Sequence, residues 1–236
     1  YFGNQTICFG VQDLHRELVV KATSKVEVRK PTPVSCENSV SWEKIQAQVA
    51  KPDSDQAWLA SEFSFATVLG NTSDELKALA ESVFTPGRPV LVAARELCHK
   101  INQSFTYKKG ATSTTTTATD VLAGKKGVCQ DFAHLYIGAC RCLGLPVRYV
   151  SGYLETHPPK GKPKLVGVDE SHAWIAIWAG EAGWVDFDPT NDLMQPDRHV
   201  TVGWGRDYQD LPPLRGVSQG GGPHTIKVSV DLQPDC

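Results

Sequence analysis

The sequence predicts an α+β fold in which a helical part precedes an antiparallel sheet. Segments with helical apolar spacing occupy much of residues 41–142, and short segments with period-two alternation follow from residue 147 onward. Helices followed by strands with short connections are typical of α+β domains. Apolar residues form 41% and charged residues 21% of the 236 residues, which is the composition of a folded globular protein.

The net charge and the hydropathy pattern argue against two classes of partner. With a net charge of −2, the chain lacks the basic footprint that binding to nucleic acid or an anionic membrane surface requires. No apolar stretch approaches the ~20 residues needed to span a bilayer. The first residue is Tyr1 and no basic-then-apolar leader is visible, so we expect that the start of the chain was trimmed.

The cysteine pattern indicates a reducing compartment. A domain stapled by disulfides has dense, even-numbered cysteines in a much shorter chain. We therefore expect most of these cysteines to be reduced, buried hydrophobic residues and the protein to be cytoplasmic. The seven cysteines are Cys8, Cys36, Cys98, Cys129, Cys140, Cys142 and Cys236.

The N-terminal residues have a strand-like pattern. Residues 18–29 alternate in period two and predict a long, half-buried strand, with residues 5–11 as a partner strand. A hairpin alone is only marginally stable, so these strands either pack on the main domain or pair with strands that precede Tyr1. Residues 30–33 (KPTP) form a breaker-rich linker. We predict a β-rich N-terminal region at residues 1–33, of which this is the C-terminal part, and a catalytic domain at residues 34–236.

The middle of the chain predicts several helices. Three segments with mixed apolar and charged positions begin with a serine that can cap a helix: residues 41–49, 54–62 and 73–84. A stronger apolar stripe follows Pro89. Residues 112–119 are threonine-rich and predict an extended surface loop. Thr119 is then expected to cap a short helix at residues 120–123 that Gly124 ends.

The clearest helix of the chain begins at Cys129. Apolar residues recur at three- and four-residue steps from Cys129 to Cys140, and Gly144 and Pro146 end the pattern. The strands predicted after it are residues 147–153, 173–178, 184–187, 200–204 and 225–230.

Cys129 is a candidate nucleophile because it lies in the first turn of this helix. Unpaired backbone N–H groups and the positive end of the helix dipole favour a thiolate at that position. Gly127 would allow a tight turn and the close approach of a substrate. The alternative is an inert buried cysteine, which we expect for Cys140 and Cys142 on the same helix.

His172 and Asp188 are the matching candidates in the sheet. His172 begins a predicted strand and can act as a general base, although a lone histidine there can also be an edge residue bonded to water. Asp188 ends the next strand and, if residues 179–183 form a hairpin, reaches the far side of the imidazole and fixes its tautomer. It can also cap the turn at Pro189, and the two roles are compatible. A cysteine, a histidine and an acid in this order form the nucleophile, base and orienting group used in acyl transfer.

Several segments resemble motifs of the bacterial transglutaminase-like cysteine protease superfamily. The resemblance extends along almost the whole chain. The motif segments are residues 127–134 (GVCQDFAH), 140–153 (CRCLGLPVRYVSGY), 171–174 (SHAW) and 183–190 (GWVDFDPT). Outside these motifs, residues 1–28 resemble the end of the β-rich N-terminal region of bacterial members, and residues 205–208 and 212–214 resemble their C-terminal segment.

The resemblance implies a papain-like fold with the nucleophile helix packed on an antiparallel sheet. It makes Cys129 the nucleophile, His172 the base and Asp188, rather than Asp186, the third member of a triad. The chemistry implied is thiolate attack on a peptide or protein amide, a thioester intermediate, and transfer to water or an amine, with no cofactor. We expect hydrolysis, with protein cross-linking as the alternative.

The resemblance also implies an oxyanion site formed in part by the Cys129 backbone N–H. A second donor is needed, and the sequence does not identify it. The candidates are Gln103, Tyr107 and Gln130, each of which can equally be a surface or packing side chain.

Three other functions are weaker. The pairs Cys98 with His99, Cys129 with His134, and Cys140 with Cys142 offer zinc ligands but lack two C-x₂₋₄-C knuckles. The acidic residues from Asp186 to Asp197 resemble a calcium loop, but Asn191 replaces its glycine and Asp197 its final glutamate. A non-catalytic scaffold with the same fold is the third alternative.

Overall fold

The computed structural model describes residues 1–155, 170–217, 219–220 and 225–233. Six α-helices lie in the described part of the chain, and none of them has the length and apolar character that crossing a membrane requires. They are α1 (Trp42–Ala50), α2 (Asp55–Ser61), α3 (Asp74–Glu81), α4 (Val90–Ser104), α5 (Ala118–Gly124) and α6 (Cys129–Cys142).

The described strands form a two-stranded parallel pair and a five-stranded antiparallel sheet. The sheet has the order β6-β5-β4-β3-β7. The last strand in the chain, β7, therefore crosses over to pair with β3. The strands are β1 (Thr106–Tyr107), β2 (Lys126–Gly127), β3 (Val147–Leu154), β4 (Glu170–Trp178), β5 (Trp184–Asp188), β6 (Leu193–Met194) and β7 (His199–Gly205). This confirms the predicted α+β class.

Helix α6 occupies the centre of the domain because its apolar residues extend over most of its surface. It packs on β3 and β4 on one side and on α3 and α5 on the other. Arg141 in its last turn is also buried and donates hydrogen bonds to the backbone carbonyls of Phe63, Val147 and Arg206. These bonds satisfy the buried guanidinium and fix α6 against the loops beside the sheet.

The predicted capping residues are confirmed for α2 and α3, and the one predicted for α5 is wrong. Ser54 and Ser73 each accept a backbone N–H from the first turn of their helix. In α5 the cap is Thr117 rather than Thr119, because Thr117 and Asp120 accept each other's backbone N–H groups in a capping box. The left-handed residue that ends α5 is Lys125, with φ of 54°, rather than Gly124.

The hairpin between β4 and β5 has the predicted position. A short 3-10 turn, Gly180–Ala182, joins the two strands, and the Ala179 N–H donates to the Gly183 carbonyl at 2.8 Å. Gly180 and Gly183 both have φ near +70°, a conformation that favours glycine. The register that follows pairs Ile175 with Phe187, which brings the beginning of β4 beside the end of β5.

The predicted strands at residues 5–11, 18–29 and 225–230 are wrong. Residues 1–34 follow the surface without regular secondary structure, and alternation in the sequence forms a strand only where another strand offers ladder hydrogen bonds. At the β7 edge the contact is made by a side chain instead. Asn4 donates to the Trp204 carbonyl at 2.7 Å and accepts its N–H at 3.1 Å. Cys236 lies outside the described residues, and the division into two domains stays a prediction.

Two glycines, Gly152 in the sheet and Gly124 in α5, allow a test of how closely the sheet is packed. A Cβ on Gly152, at the irregularity between β3 and β7, would lie 2.0 Å from the Val200 carbonyl oxygen, whereas a Cβ on Gly124 would meet nothing within 4 Å. We expect Gly152→Ala to lower the free energy of unfolding by about 1–3 kcal/mol or more. Gly124→Ala, in the last turn of α5, is expected to raise it by up to about 1 kcal/mol. Urea unfolding of both variants measures this, and equal effects would contradict the packing described.

Candidate active site

Cys129 is the first residue of α6, as the sequence predicts, and its side chain is half-buried. The backbone before it is fixed by Asp131, whose carboxylate accepts the Val128 N–H at 2.7 Å and the Thr112 hydroxyl at 2.6 Å. Gly127 serves this contact, because a Cβ there would lie 2.7 Å from the Asp131 Cβ. The close approach at Gly127 is therefore made by Asp131.

His172 lies near the beginning of β4 and is only 7% exposed. Its Nε2 atom is 2.7 Å from Asp188 Oδ2. The alternative of an edge histidine bonded to water is therefore wrong. The strand register explains the contact: continuing the β4–β5 pairing by one residue places Trp174 opposite Asp188, and His172, two residues before Trp174, lies on the same face.

Asp188 ends β5 and is fully buried. Its Oδ1 accepts the backbone N–H groups of Thr190 at 2.9 Å and Asn191 at 3.2 Å, while Oδ2 faces the His172 imidazole. The aspartate therefore caps the turn at Pro189 and also hydrogen-bonds to the histidine. Asp186 lies elsewhere, beside Arg148. Burial raises the pKa of the Asp186 carboxyl above its ordinary value, and the charge of Arg148 offsets part of that rise.

The Cys129 sulfur lies close enough to His172 to act on its pKa both as a hydrogen-bonding neighbour and as a charge. Because Nε2 is directed at Asp188, Nδ1 is the ring nitrogen left for the sulfur. The structure thus brings together all three residues that the sequence predicts, although they come from a helix and two strands.

The electrostatics of the site favour a charged imidazole. Burial alone would lower the pKa of His172, but the hydrogen bonds and charges of Asp188 and Cys129 outweigh it and raise the pKa to about 10. Burial would raise the pKa of Asp188, but hydrogen bonds from His172, His199 and Asn191 hold it below its ordinary value. An ionised aspartate beside a protonated histidine follows.

Two residues of the site were missed by the sequence analysis. His199 Nε2 lies 2.8 Å from Asp188 Oδ2, and the Asn191 side-chain amide donates to the same oxygen at 2.7 Å. Asn191 follows Asp188 by three residues, so an Asx-type turn was a signal that could have found it. For His199 the chain offers no such signal, because its position depends on the crossover of β7 to β3.

The candidates for a second oxyanion donor differ in position. Gln103 is exposed and donates to its neighbour Asn102, whereas the Gln130 amide donates to the Thr114 carbonyl at 3.3 Å. Tyr107 pairs with Gly127 in the short parallel sheet, two residues before Cys129. Of the three side chains, Tyr107 belongs to the strand pair that leads directly into α6.

Three of the candidate zinc ligands have hydrogen-bond partners within the protein. Cys98 directs its thiol at the Leu193 carbonyl and Cys142 at the Ser73 carbonyl, while the buried His134 accepts the Tyr208 N–H. Among the described residues, the cluster with metal-ligand chemistry is His172, Asp188 and His199. Its nitrogen–oxygen separations of 2.7 and 2.8 Å are those of direct hydrogen bonds, which leaves no space between these atoms for an ion.

The residues of the apparent calcium loop also have other partners. Asp192 forms an ion pair with Arg95 and a hydrogen bond with His99, both on α4, and Asp188 is hydrogen-bonded to His172 and His199. The carboxylates of Asp188 and Asp192 therefore bind different side chains of the protein.

Comparison with known proteins identifies the superfamily of this chain. The transglutaminase-like superfamily matches residues 77–189, a range that includes Cys129, His172 and Asp188. An uncharacterized protein of Mycobacterium tuberculosis is 38% identical over 238 residues, which cover 99% of this chain and 75% of that protein. The chain belongs to the transglutaminase-like superfamily.

Two further relatives bear on the class of chemistry. The crystal structure of a candidate cysteine protease from Cytophaga hutchinsonii is 30% identical with a TM-score of 0.56, and the match covers 70% of this chain. This chain spans about half (51%) of that structure. A protein-glutamine gamma-glutamyltransferase of Pseudomonas aeruginosa is 32% identical over 96 residues, or 40% of this chain and 14% of that protein. The superfamily is generally enzymatic.

The pKa values of two buried histidines, His134 on α6 and His172 on β4, should be shifted in opposite directions. We expect His172 to remain charged well above its ordinary pKa of 6.5 and to lose its proton only as the pH approaches about 10. Burial lowers the pKa of His134 to about 4, so at pH 6 it should be neutral while His172 is charged. NMR titration of the ring resonances measures both, with Cys129→Ala and Asp188→Asn each lowering the His172 value.

The same shift fixes the sign of the pH dependence of stability. A histidine pKa raised on folding contributes stability that is complete below pH 6.5 and is lost as the pH rises through about 10. A wild-type His172 that titrates near 6.5 would contradict the ion pair.

Proposed function

We propose that the protein is a cysteine-dependent amide hydrolase, a peptidase or amidase, that works through a thioester on Cys129. Two observations support the proposal: the buried hydrogen bond of 2.7 Å between His172 Nε2 and the Asp188 carboxylate, and the Cys129 thiol, which is near enough to His172 to raise its pKa. A nucleophile whose base is in turn oriented by a third group is the arrangement used in covalent acyl transfer.

In the first half of the proposed reaction, the Cys129 thiolate attacks the carbonyl carbon of a peptide or protein amide. The oxyanion that forms lies near the beginning of α6, where the Cys129 N–H has no helical acceptor. The C–N bond then breaks, and His172 gives its proton to the leaving amine. A thioester remains on the sulfur, and the imidazole is neutral.

In the second half, the neutral imidazole takes a proton from water, and the resulting hydroxide equivalent attacks the thioester. The C–S bond breaks, the carboxylic acid leaves, and the site returns to thiolate and imidazolium. Throughout, Asp188 stabilises the charged ring and keeps its Nε2 nitrogen directed away from the sulfur. No cofactor takes part in these steps.

Cross-linking is the second candidate function, since it shares every step up to the thioester and differs only in using a primary amine as acceptor. The observation that favours it is the local similarity to the Pseudomonas aeruginosa gamma-glutamyltransferase. That similarity is limited to 40% of this chain, so we place hydrolysis first.

The acceptor can be determined by incubating the protein with glutamine-containing peptides, in the presence and absence of a biotinylated primary amine, and analysing the products by mass spectrometry. Hydrolysis should give glutamate side chains or cleaved peptides whether or not the amine is present. Biotin incorporation that exceeds hydrolysis would favour the cross-linking activity instead.

Substitutions in the triad should separate catalysis from folding. We expect Cys129→Ala to abolish turnover with little effect on the fold, and Asp188→Asn to leave a residual rate about 10²- to 10⁴-fold lower, because the ring loses the carboxylate that orients it. Cys142→Ala is the matched control, since this half-buried thiol ends the same helix and contacts the Ser73 carbonyl. Wild-type turnover by Cys129→Ala would contradict the mechanism.

A further inference from the structure

The carboxylate at the centre of the site binds two imidazoles. Asp188 Oδ2 lies 2.7 Å from His172 Nε2 and 2.8 Å from His199 Nε2. His199 begins β7, and both β4 and β3 lie between β5 and β7 in the sheet order. A residue remote in both sequence and strand order thus reaches the same oxygen as the proposed base.

The His199 ring is held on several sides. Its side chain is 2% exposed, and it meets the Trp174 ring edge-on with centroids 4.9 Å apart and an interplanar angle of 89°. The His172 ring lies 5.3 Å away at 66°. Packing against two aromatic rings leaves the imidazole with its Nε2 directed at Asp188.

Hydrogen-bond chemistry fixes which His199 nitrogen carries the proton. Asp188 is ionised and therefore only accepts, so each histidine nitrogen that faces it must be an N–H donor. The other His199 nitrogen, Nδ1, is buried without a hydrogen-bond partner among the described residues. A proton on Nδ1 would be a buried, unpaired donor, so the arrangement favours the tautomer with its proton on Nε2.

The contacts of Asp188 divide between its two oxygens. Oδ1 is fixed by the backbone N–H groups of Thr190 and Asn191, whereas Oδ2 is fixed by side chains, those of His199 and Asn191. The side-chain donors His199 and Asn191 therefore help to fix the position of Oδ2, the oxygen that binds His172.

We infer that His199 is a positioning residue of the proposed reaction, which donates Nε2–H to Asp188 Oδ2 and so fixes the carboxylate that orients His172. This inference rests on the proposed function. Without this donor, Oδ2 keeps only Asn191 and His172 as partners, and a buried carboxylate oxygen loses a hydrogen bond. A carboxylate that is held by fewer donors would fix the His172 ring less firmly through its Nε2 atom.

Other titratable and charged groups near His199 can also affect the pH dependence of activity or of Cys129 alkylation. Asp188, His172 and Asp186 act on or contact the ring directly. The walls of two cavities of about 530 and 210 Å³ that His199 lines add Glu27, Arg29, Arg148, Glu155, Asp197 and Arg198.

The test compares His199→Phe with His199→Gln. Phenylalanine keeps an aromatic ring against Trp174 but has no donor, whereas glutamine has a side-chain N–H for Asp188 Oδ2. The matched control is His99→Gln, which removes a histidine 2.7 Å from a different aspartate, Asp192, that Arg95 also binds. Thermal unfolding by circular dichroism establishes that each variant is folded.

The readout is the rate of Cys129 alkylation by iodoacetamide between pH 5 and 10, together with kcat and KM on a peptide that the wild type hydrolyses. We expect His199→Phe to lower kcat by about 10- to 100-fold with KM unchanged, as for other outer partners of a functional side chain. It should also shift the alkylation profile, because His172 loses its fixed carboxylate. His199→Gln should recover most of both quantities, and His99→Gln should match the wild type.

A folded His199→Phe variant with the wild-type alkylation profile and kcat would overturn the inference. If the variant does not fold, NMR of the wild type decides: the His199 Nε2 proton resonance should move in Asp188→Asn, and a resonance that does not respond would overturn it. The proposed function fails separately, when wild-type Cys129 is alkylated no faster than the other cysteines.

Discussion

The arrangement of this site depends on a carboxylate buried at the end of a strand. A buried charge is costly unless its oxygens are hydrogen-bonded, and Asp188 meets that requirement through two backbone N–H groups, two histidines and one amide. Satisfying it fixes the turn after β5, the beginning of β4 and the beginning of β7 at the same point. The feature that stabilises the carboxylate therefore also aligns the histidine that faces Cys129.

The two halves of the site come from different layers of the fold. The cysteine belongs to α6, whose start is fixed by Asp131 against the backbone of Val128, and the histidine and aspartate belong to the sheet. Their alignment depends on how α6 packs on β3 and β4. Arg141 contributes from the last turn of the helix by bonding to backbone carbonyls beside the sheet. The position of Cys129 relative to the sheet therefore depends on packing along the whole of α6.

Local patterns in the sequence predicted the parts of the site that depend on neighbours along the chain. The apolar stripe identified α6 and its first residue, and the short hairpin placed Asp188 beside His172. His199 could not be predicted, because its contact requires the crossover of β7 to β3, which no local pattern records. The N-terminal strands failed for the related reason that alternation indicates an extended backbone but not a partner. The cap of α5 is Thr117 rather than Thr119, because Thr117 and Asp120 accept hydrogen bonds from each other's backbone N–H groups.

The proposed function requires Cys129 to be the activated thiol of a cysteine–histidine–aspartate site. Site-resolved alkylation at pH 5.5, with iodoacetamide and peptide mass spectrometry, measures this activation, because an ordinary thiol with a pKa near 8.5 is almost entirely protonated at that pH. We expect Cys129 to react at least about 10-fold faster than the exposed Cys8, although the Cys129 side chain is half-buried. Equal labelling of the two cysteines, or faster labelling of Cys8, would contradict it.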